Sequence, residues 1–433
     1  MNLISAAIYR LLQAIVWVTF SIYFRRIIFI NRERLNEKGP LLVISNHPNT
    51  VMDPLMALYR MPKICNLLAN YSLFKNPISN AILSFLYCIP IQRVSDVTEG
   101  QPLKNEEAFK RCDDHLISDG NIYIAVEGTS YAERHIRELK TGMARIAFSV
   151  EAKTDFEINL RILPIVMTYF EPLKFRQDVV VEVGELISVD DWRAAYESNP
   201  RKSIGDFTDS VEQIMKSMTI DCKDAEEDTF LKKLEVLLQS DNHLETYEHY
   251  KRSKTLLTRL HSWQTLNAAE YEQFKSSVEV YFKKLKKLNI EDVNVENVKE
   301  KLPLSISALL VTFPLFLIGF MNNILPAWFS NKMIQWMKID KTYDTTIRYV
   351  CGLMLFPLFW WLQKLLLIKL LDYTFNGWLY VIISIITGLI AYWYYKKASR
   401  IWDYWTFKKK QNYSKLITLR QTAVTALNKI NSI

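Results

Sequence analysis

The stretch LLVISNHPNTVMDP, residues 41–54, decides the reading of this chain. Leu41, Leu42, Val43 and Ile44 form a short continuous apolar run, the pattern of a strand buried on both faces. The run stops at Ser45 and Asn46, and His47 and Asp53 then arrive six residues apart. Pro48 and Asn49 impose a turn. Pro54 opens a helix-compatible segment, PLMALYR, with Asp53 near its N-terminus, where a carboxylate suits the helix dipole. Ligands of α/β sheets bind beyond the C-terminal ends of strands, which is where this histidine falls. A carboxylate beside an imidazole fixes its tautomer and stabilises its protonated form. The other ring nitrogen is then left to take a proton from a hydroxyl. No serine nucleophile of the chain's own stands out, so that hydroxyl can belong to a substrate.

Around this stretch, strand-like runs at 121–126, Arg161–Tyr169 and 179–186 alternate with helix-compatible segments at 141–152 and 204–218. The alternation predicts an α/β domain over 36–220, a sheet covered by helices. CIPIQRV (88–94) ends a strand-like run on Arg93, whose guanidinium can grip phosphate with two parallel bonds. IAVEGTS (124–130) carries Glu127, Gly128 and Thr129; Gly128 permits a tight turn whose N–H groups can hold an anion. A carboxylate repels phosphate, so Glu127 is expected to orient an arginine or to bind a part of the ligand other than its phosphate. YAERHIRELKTGMARIA (131–147) brings Lys140 ahead of Gly142 as a further candidate phosphate contact. His135 in the same loop has no partner at the spacing of a base and reads as a solvent histidine. ILPIV (162–166) is a strand containing Pro164.

These four blocks, in this order over residues 41–166, resemble the glycerolipid acyltransferase family, which includes 1-acylglycerol-3-phosphate and glycerol-3-phosphate acyltransferases. The family's first block is Asn-His, four variable residues and Asp; here five separate His47 from Asp53. Ala125 and Val126 stand where the family has Phe-Pro. The resemblance covers about the first 220 residues. It implies His47 as general base with Asp53 orienting it, and Asn46, Arg93, Glu127, Gly128, Thr129 and Lys140 as substrate-binding residues. It implies no cofactor, with acyl-CoA or acyl-carrier protein as acyl donor. The leading acceptor is 1-acyl-sn-glycerol 3-phosphate, giving phosphatidic acid. Glycerol 3-phosphate, favoured by the five-residue spacing and the long chain, and other lysophospholipids stay open. So does a non-catalytic lipid-binding scaffold on the same fold.

The net charge of +8 and the aromatic content of 13% suit an anionic membrane surface or a nucleic acid. The placement of the apolar residues decides for membrane lipids and against nucleic acid. The five cysteines are scattered without a CxxC pair, which argues against a disulfide scaffold or a structural zinc and for a reducing compartment. No His/Asp/Cys group has metal-site spacing. Near the N-terminus the apolar run 11–24 has 14 residues, short of the ~20 that a crossing needs. Arg10 on one side and Arg25 and Arg26 on the other can snorkel, so an interfacial helix is expected there rather than a signal peptide.

Residues 222–300 are polar and helical in character. From 301 the chain turns apolar: 302–321 and 375–395 carry no charge and can each cross a bilayer. The segment 349–371 carries Lys364 and Lys369 and reads as a third crossing or as a re-entrant or interfacial element. Lys396, Lys397, Arg400, Lys408, Lys409 and Lys410 favour the cytoplasm. If the α/β domain is cytoplasmic too, the crossings after it are even in number. The expected organisation is therefore a membrane-associated helix (1–35), an acyltransferase domain (36–220), a helical arm (221–300), transmembrane helices (301–395) and a basic cytoplasmic tail (396–433) of an integral membrane protein.

Overall fold

The computed structural model describes residues 3–93, 104–242, 245–295, 302–371, 376–408 and 413–432. Val94, the expected boundary at 300, Phe375, Lys409 and Lys410 lie outside the described residues. The chain divides into two units: residues 1–225 with 341–346, and residues 226–340 with 347–433.

The first unit holds eight strands: β1 (Arg26–Ile30), β2 (Leu41–Ser45), β3 (Cys65–Asn70), β4 (Cys88–Ile91), β5 (Asn121–Ala125), β6 (Arg161–Tyr169), β7 (Asp178–Val183) and β8 (Ile187–Ser188). They form one sheet in the order β1-β7-β6-β2-β5-β3-β4, with β8 also pairing β6. Its helices are α1 (Leu3–Tyr23), α2 (Met52–Leu58), α3 (Pro77–Phe85), α4 (Glu106–Ile117), α5 (Gly142–Lys153), α6 (Arg193–Ser198) and α7 (Pro200–Ser217). This is the α/β architecture expected from the sequence.

β2 is paired in parallel on both sides, with β5 and with β6, and all five of its residues are buried. That position explains why it is apolar throughout rather than alternating. β3, β4 and β5 run parallel to β2, so their C-terminal ends share one edge of the sheet. β6 carries a proline in the sheet interior, where a missing N–H is normally costly. Here β6 pairs antiparallel with β8 at Arg161 and Ile162 and with β7 from Ile165 onward, so Pro164 falls at the break between the two ladders. On the face where α4, α5 and α7 pack, Phe148, Phe207, Val211 and Met215 are fully buried, and Phe148 stacks on Tyr196 at 4.5 Å.

α1 runs without interruption through Arg10, so its apolar window is Ala6–Tyr23, 18 residues, long and apolar enough to cross a membrane. The 14-residue count taken from the sequence stopped at a charge that the helix passes over. That charge is used: Arg10 Nη2 donates to Pro62 O at 2.9 Å, and Gln13 Nε2 donates to Leu58 O and Met61 O at 3.1 and 2.7 Å. The acceptors are the last carbonyl of α2, Leu58 O, and two carbonyls just beyond it. Phe20 is fully buried against Phe24 and Tyr59. One face of α1 is thus fastened to the α/β domain, while Leu11, Ile15 and Val18 stand exposed on it.

The second unit contains α8 (Ala225–Asn242), α9 (Thr246–Leu266), α10 (Ala268–Leu288), α11 (Leu302–Met337), α12 (Asp344–Leu371), α13 (Gly377–Lys408) and α14 (Tyr413–Ser432). α14 packs on α9 and α10, and Arg420 Nε bonds Asp292 Oδ1 at 3.0 Å. Residues 413–432, expected within a basic tail, are an amphipathic helix with Leu416, Ala423, Leu427 and Ile430 buried.

α11, α12 and α13 are each long and apolar enough to cross. With α1 this makes four such helices among the described residues, consistent with an integral membrane protein. The middle segment is a continuous 28-residue helix. Lys364 and Lys369 sit in its last two turns, where their ammonium groups can snorkel. Trp360 Nε1 donates to Asn323 Oδ1 at 3.1 Å, Gln363 Nε2 to Asn322 O at 3.1 Å and Asn323 Nδ2 to Ser384 O at 3.0 Å, joining all three helices.

α11 and α13 meet closely at Gly319, where an added Cβ would stand 2.0 Å from Thr387 O. At Gly352 the nearest atom to such a Cβ is 3.8 Å away. Gly319→Ala should therefore lower thermal stability in detergent by ~1–3 kcal/mol, the usual cost of overpacking, whereas Gly352→Ala should not. Melting curves of the two variants test the packing.

Candidate active site

β2 ends at Asn46, whose side chain is committed to β6: Nδ2 donates to Met167 O at 2.9 Å and Oδ1 accepts from Met167 N at 2.8 Å. The chain then turns, and His47 Nδ1 lies 2.9 Å from Asp53 Oδ2 in the first turn of α2. Asn49 N–H donates to the same oxygen at 2.7 Å. Asp53 is fully buried, and the His47 side chain is 15% exposed. Burial pushes the Asp53 carboxyl up from its ordinary pKa, and its bond to His47 opposes that rise. An ionised Asp53 accepts, so Nδ1 carries the proton and Nε2 the lone pair. Among the described residues, no protein group bonds Nε2, which leaves it available as a base.

The fifth residue between His47 and Asp53 is absorbed at Thr50, which takes φ +44°, in the left-handed region. That region is unfavourable for a β-branched side chain. Neighbouring contacts hold it: Thr50 N–H donates to Ser130 Oγ at 3.0 Å, and Tyr131 N–H donates to His47 O at 3.1 Å. The segment after β5 thus clamps the segment after β2.

Glu127 completes the clamp. Its Oε2 accepts from His47 N–H at 2.5 Å and its Oε1 from Arg137 N–H at 3.0 Å. Burial raises its pKa, and the two backbone donors counter the rise. Gly128 has φ +73°, a conformation that favours glycine, and its absent Cβ would lie 3.5 Å from Lys140 Cγ. Lys140 N–H bonds Val126 O at 2.9 Å, and Thr129 and the Lys140 side chain are exposed nearby. Arg93 follows β4 and is half-buried on the same sheet edge. Three strand spacings separate β4 from β2, about 14 Å. His135 differs from the expected solvent histidine: it is partly buried, with Nδ1 3.5 Å from Asp221 Oδ1.

Three contributors escape the sequence reading. Asn49 is fully buried and holds Asp53 and, through Nδ2, Pro172 O at 3.1 Å. Ser130 holds Thr50. Arg137 bonds Glu133 and lies over the Tyr131 ring at 3.7 Å, beside Glu127. Asn49 and Ser130 stand inside the quoted blocks; nothing marks Arg137 among the other charges of its loop.

Because the folded-state pKa of Asp53 is raised, its neutral form is favoured on folding. Its contribution to stability is full below the ordinary carboxylate pKa and is lost as pH rises through the folded value. At neutral pH, Asp53→Asn should therefore melt no lower than the parent protein. It should also lose ~100-fold or more in turnover, as a misoriented general base does. Glu127→Ala should do the opposite to stability: it strands two N–H donors, at ~1–3 kcal/mol each, and lowers the melting temperature. Melting scans and initial rates at one pH check both.

Residues 26–168 match the Acyltransferase family. Similar proteins include glycerol-3-phosphate O-acyltransferase 1 of Saccharomyces cerevisiae, 32% identical over 121 residues, which is 27% of this chain and 16% of that one. Glycerol-3-phosphate O-acyltransferase 2 of the same organism is 29% identical over 125 residues, 29% of this chain and 17% of its own. This chain thus spans only about a sixth of the length of these curated relatives. The solved structure of the 1-acyl-sn-glycerophosphate (LPA) acyltransferase PlsC of Thermotoga maritima is 15% identical. The match covers 47% of this chain and 78% of that one at a TM-score of 0.35. The stretch that matches the Acyltransferase family runs from β1 into β6 and frames the His47–Asp53 pair.

Proposed function

We propose that this protein transfers a fatty acyl group from an acyl thioester, acyl-CoA or acyl-carrier protein, to a hydroxyl of glycerol 3-phosphate. The observation that carries the reading is the His47–Asp53 pair at the C-terminal end of β2, with Nε2 unengaged by protein. His47 Nε2 takes the hydroxyl proton as the oxygen attacks the thioester carbonyl. The C–O ester bond forms, the C–S bond breaks, and the proton passes from His47 to the leaving thiolate. Asp53 stabilises the transient imidazolium. Arg93, Lys140 and the N–H groups at Gly128 and Thr129 are the proposed phosphate contacts, while Asn46 and Glu127 position the loop that carries His47.

The sequence puts 1-acyl-sn-glycerol 3-phosphate first as acceptor. The two yeast relatives, both named for glycerol 3-phosphate, favour the other acceptor. The five-residue spacing between His47 and Asp53 points the same way. Moving an acyl chain through water costs ~0.8 kcal/mol per CH₂, so a catalyst of this kind gains from sitting at a membrane. Lys396, Lys397 and Arg400 near the end of α13 support a cytoplasmic placement of that end; a catalytic domain on the same side requires that an even number of α11, α12 and α13 cross.

The test uses purified full-length protein in vesicles with labelled palmitoyl thioester, supplied with glycerol 3-phosphate or its 1-acyl derivative. The expected product is lysophosphatidic acid from glycerol 3-phosphate, reduced ~100-fold or more in His47→Ala. Product from the lyso acceptor alone moves the enzyme to the second acylation. No product from either, with the protein folded, favours the lipid-binding scaffold.

A further inference from the structure

A second cationic site lies apart from the catalytic loop. Arg10, Gln13 and Trp17 of α1, Arg32 beyond β1, and Tyr59 and Arg60 beyond α2 surround an open hollow of about 350 Å³. Three guanidinium groups line it and no carboxylate does. Among the described residues, none of the three arginines forms an ion pair with a carboxylate. Like charges gathered around one space repel one another unless an anion joins them.

Each arginine is held with bonding capacity to spare. Arg10 is fixed by Pro62 O and by Gln13 Oε1 at 3.0 Å, which uses two of its five N–H groups. Arg60 stacks over the Tyr59 ring at 5.1 Å, and its Nε is buried without a hydrogen-bond partner. Arg32 is exposed. Planar guanidinium forks set this way suit the oxygens of a phosphate.

The surroundings say which phosphate. Arg10 and Trp17 are seven residues apart, two helical turns, on the same helix that exposes Leu11, Ile15 and Val18. An exposed apolar stripe with Trp beside it belongs in the headgroup region of a bilayer. The hollow is also out of reach of a glycerol phosphate engaged at His47, because α2 separates them: Asp53 is in its first turn and Arg60 lies beyond its last, a rise of about 10 Å.

We propose that Arg10, Arg32 and Arg60 bind the phosphate of an anionic phospholipid headgroup, pinning α1 and the far end of α2 to the membrane surface. The proposal does not depend on which acceptor the catalytic site takes. The experiment titrates the full chain, purified in a neutral detergent, with dioctanoyl phosphatidylglycerol, dioctanoyl phosphatidylcholine or inorganic phosphate, followed by calorimetry. Phosphatidylglycerol should bind. Arg32→Gln should weaken it about tenfold, the loss of one charge-assisted contact, and Arg32→Gln with Arg60→Gln should weaken it further. Arg32→Lys should retain most of the affinity. Arg32 is exposed, so that variant should melt as the parent does, and a melting scan accompanies each. Equal binding of phosphatidylglycerol and phosphatidylcholine, or no change in either glutamine variant, would overturn the site. Inorganic phosphate binding as tightly as the lipid would overturn the headgroup assignment in favour of a free anion.

Discussion

The buried carboxylate of Asp53 is the charge around which the catalytic edge is arranged. It is fully buried, with Oδ1 shut away from solvent. Oδ2 accepts from both His47 Nδ1 and Asn49 N–H. A charge so placed is costly in isolation and favours any arrangement that brings a donor to it. It fixes the imidazole ring, sets the tautomer and offers the strongest stabilisation at the moment His47 becomes cationic. The same burial that makes Asp53 a poor contributor to folding makes it an effective partner for a base.

The sheet supplies the remaining constraint. β2 lies between β5 and β6, and each neighbour sends bonds to the segment that follows β2. From β6, Met167 grips the Asn46 amide; from beyond β5, Glu127, Ser130 and Tyr131 hold the backbone of residues 47 and 50. Two buried carboxylates thus share one loop, one turned to the imidazole and the other to main-chain N–H groups. Their different partners explain how acidic groups can sit beside a site proposed to bind phosphate: both already accept hydrogen bonds from donors of the protein.

The parts that could be read in the sequence are those whose burial is uniform. β2 and β6 are buried along nearly their whole length and have the bounds that their apolar runs suggest. β1 and β3 carry no such signal: β1 follows the apolar N-terminal helix without a break, and most of β3 is only half-buried, with Asn66 and Asn70 in its run. His47, Asp53 and Glu127 were visible as residue types at a spacing. The role of Glu127 was not, because its partners are backbone N–H groups from two loops. The left-handed turn at Thr50 contradicts the preference of its own residue, and only tertiary bonds impose it. Arg10 looked like the end of an apolar segment because its acceptor, Pro62 O, is remote in sequence.

If the substrate's own hydroxyl is the nucleophile, as the His47–Asp53 geometry supports, the protein never carries the acyl chain covalently. The direct measurement is rapid-quench mass spectrometry of the intact protein mixed with a palmitoyl thioester, first without an acceptor and then with glycerol 3-phosphate. The account predicts unmodified protein throughout, with thioester consumed only once the acceptor is present. A stoichiometric acyl-protein adduct that forms without acceptor and passes its chain to glycerol 3-phosphate would contradict it.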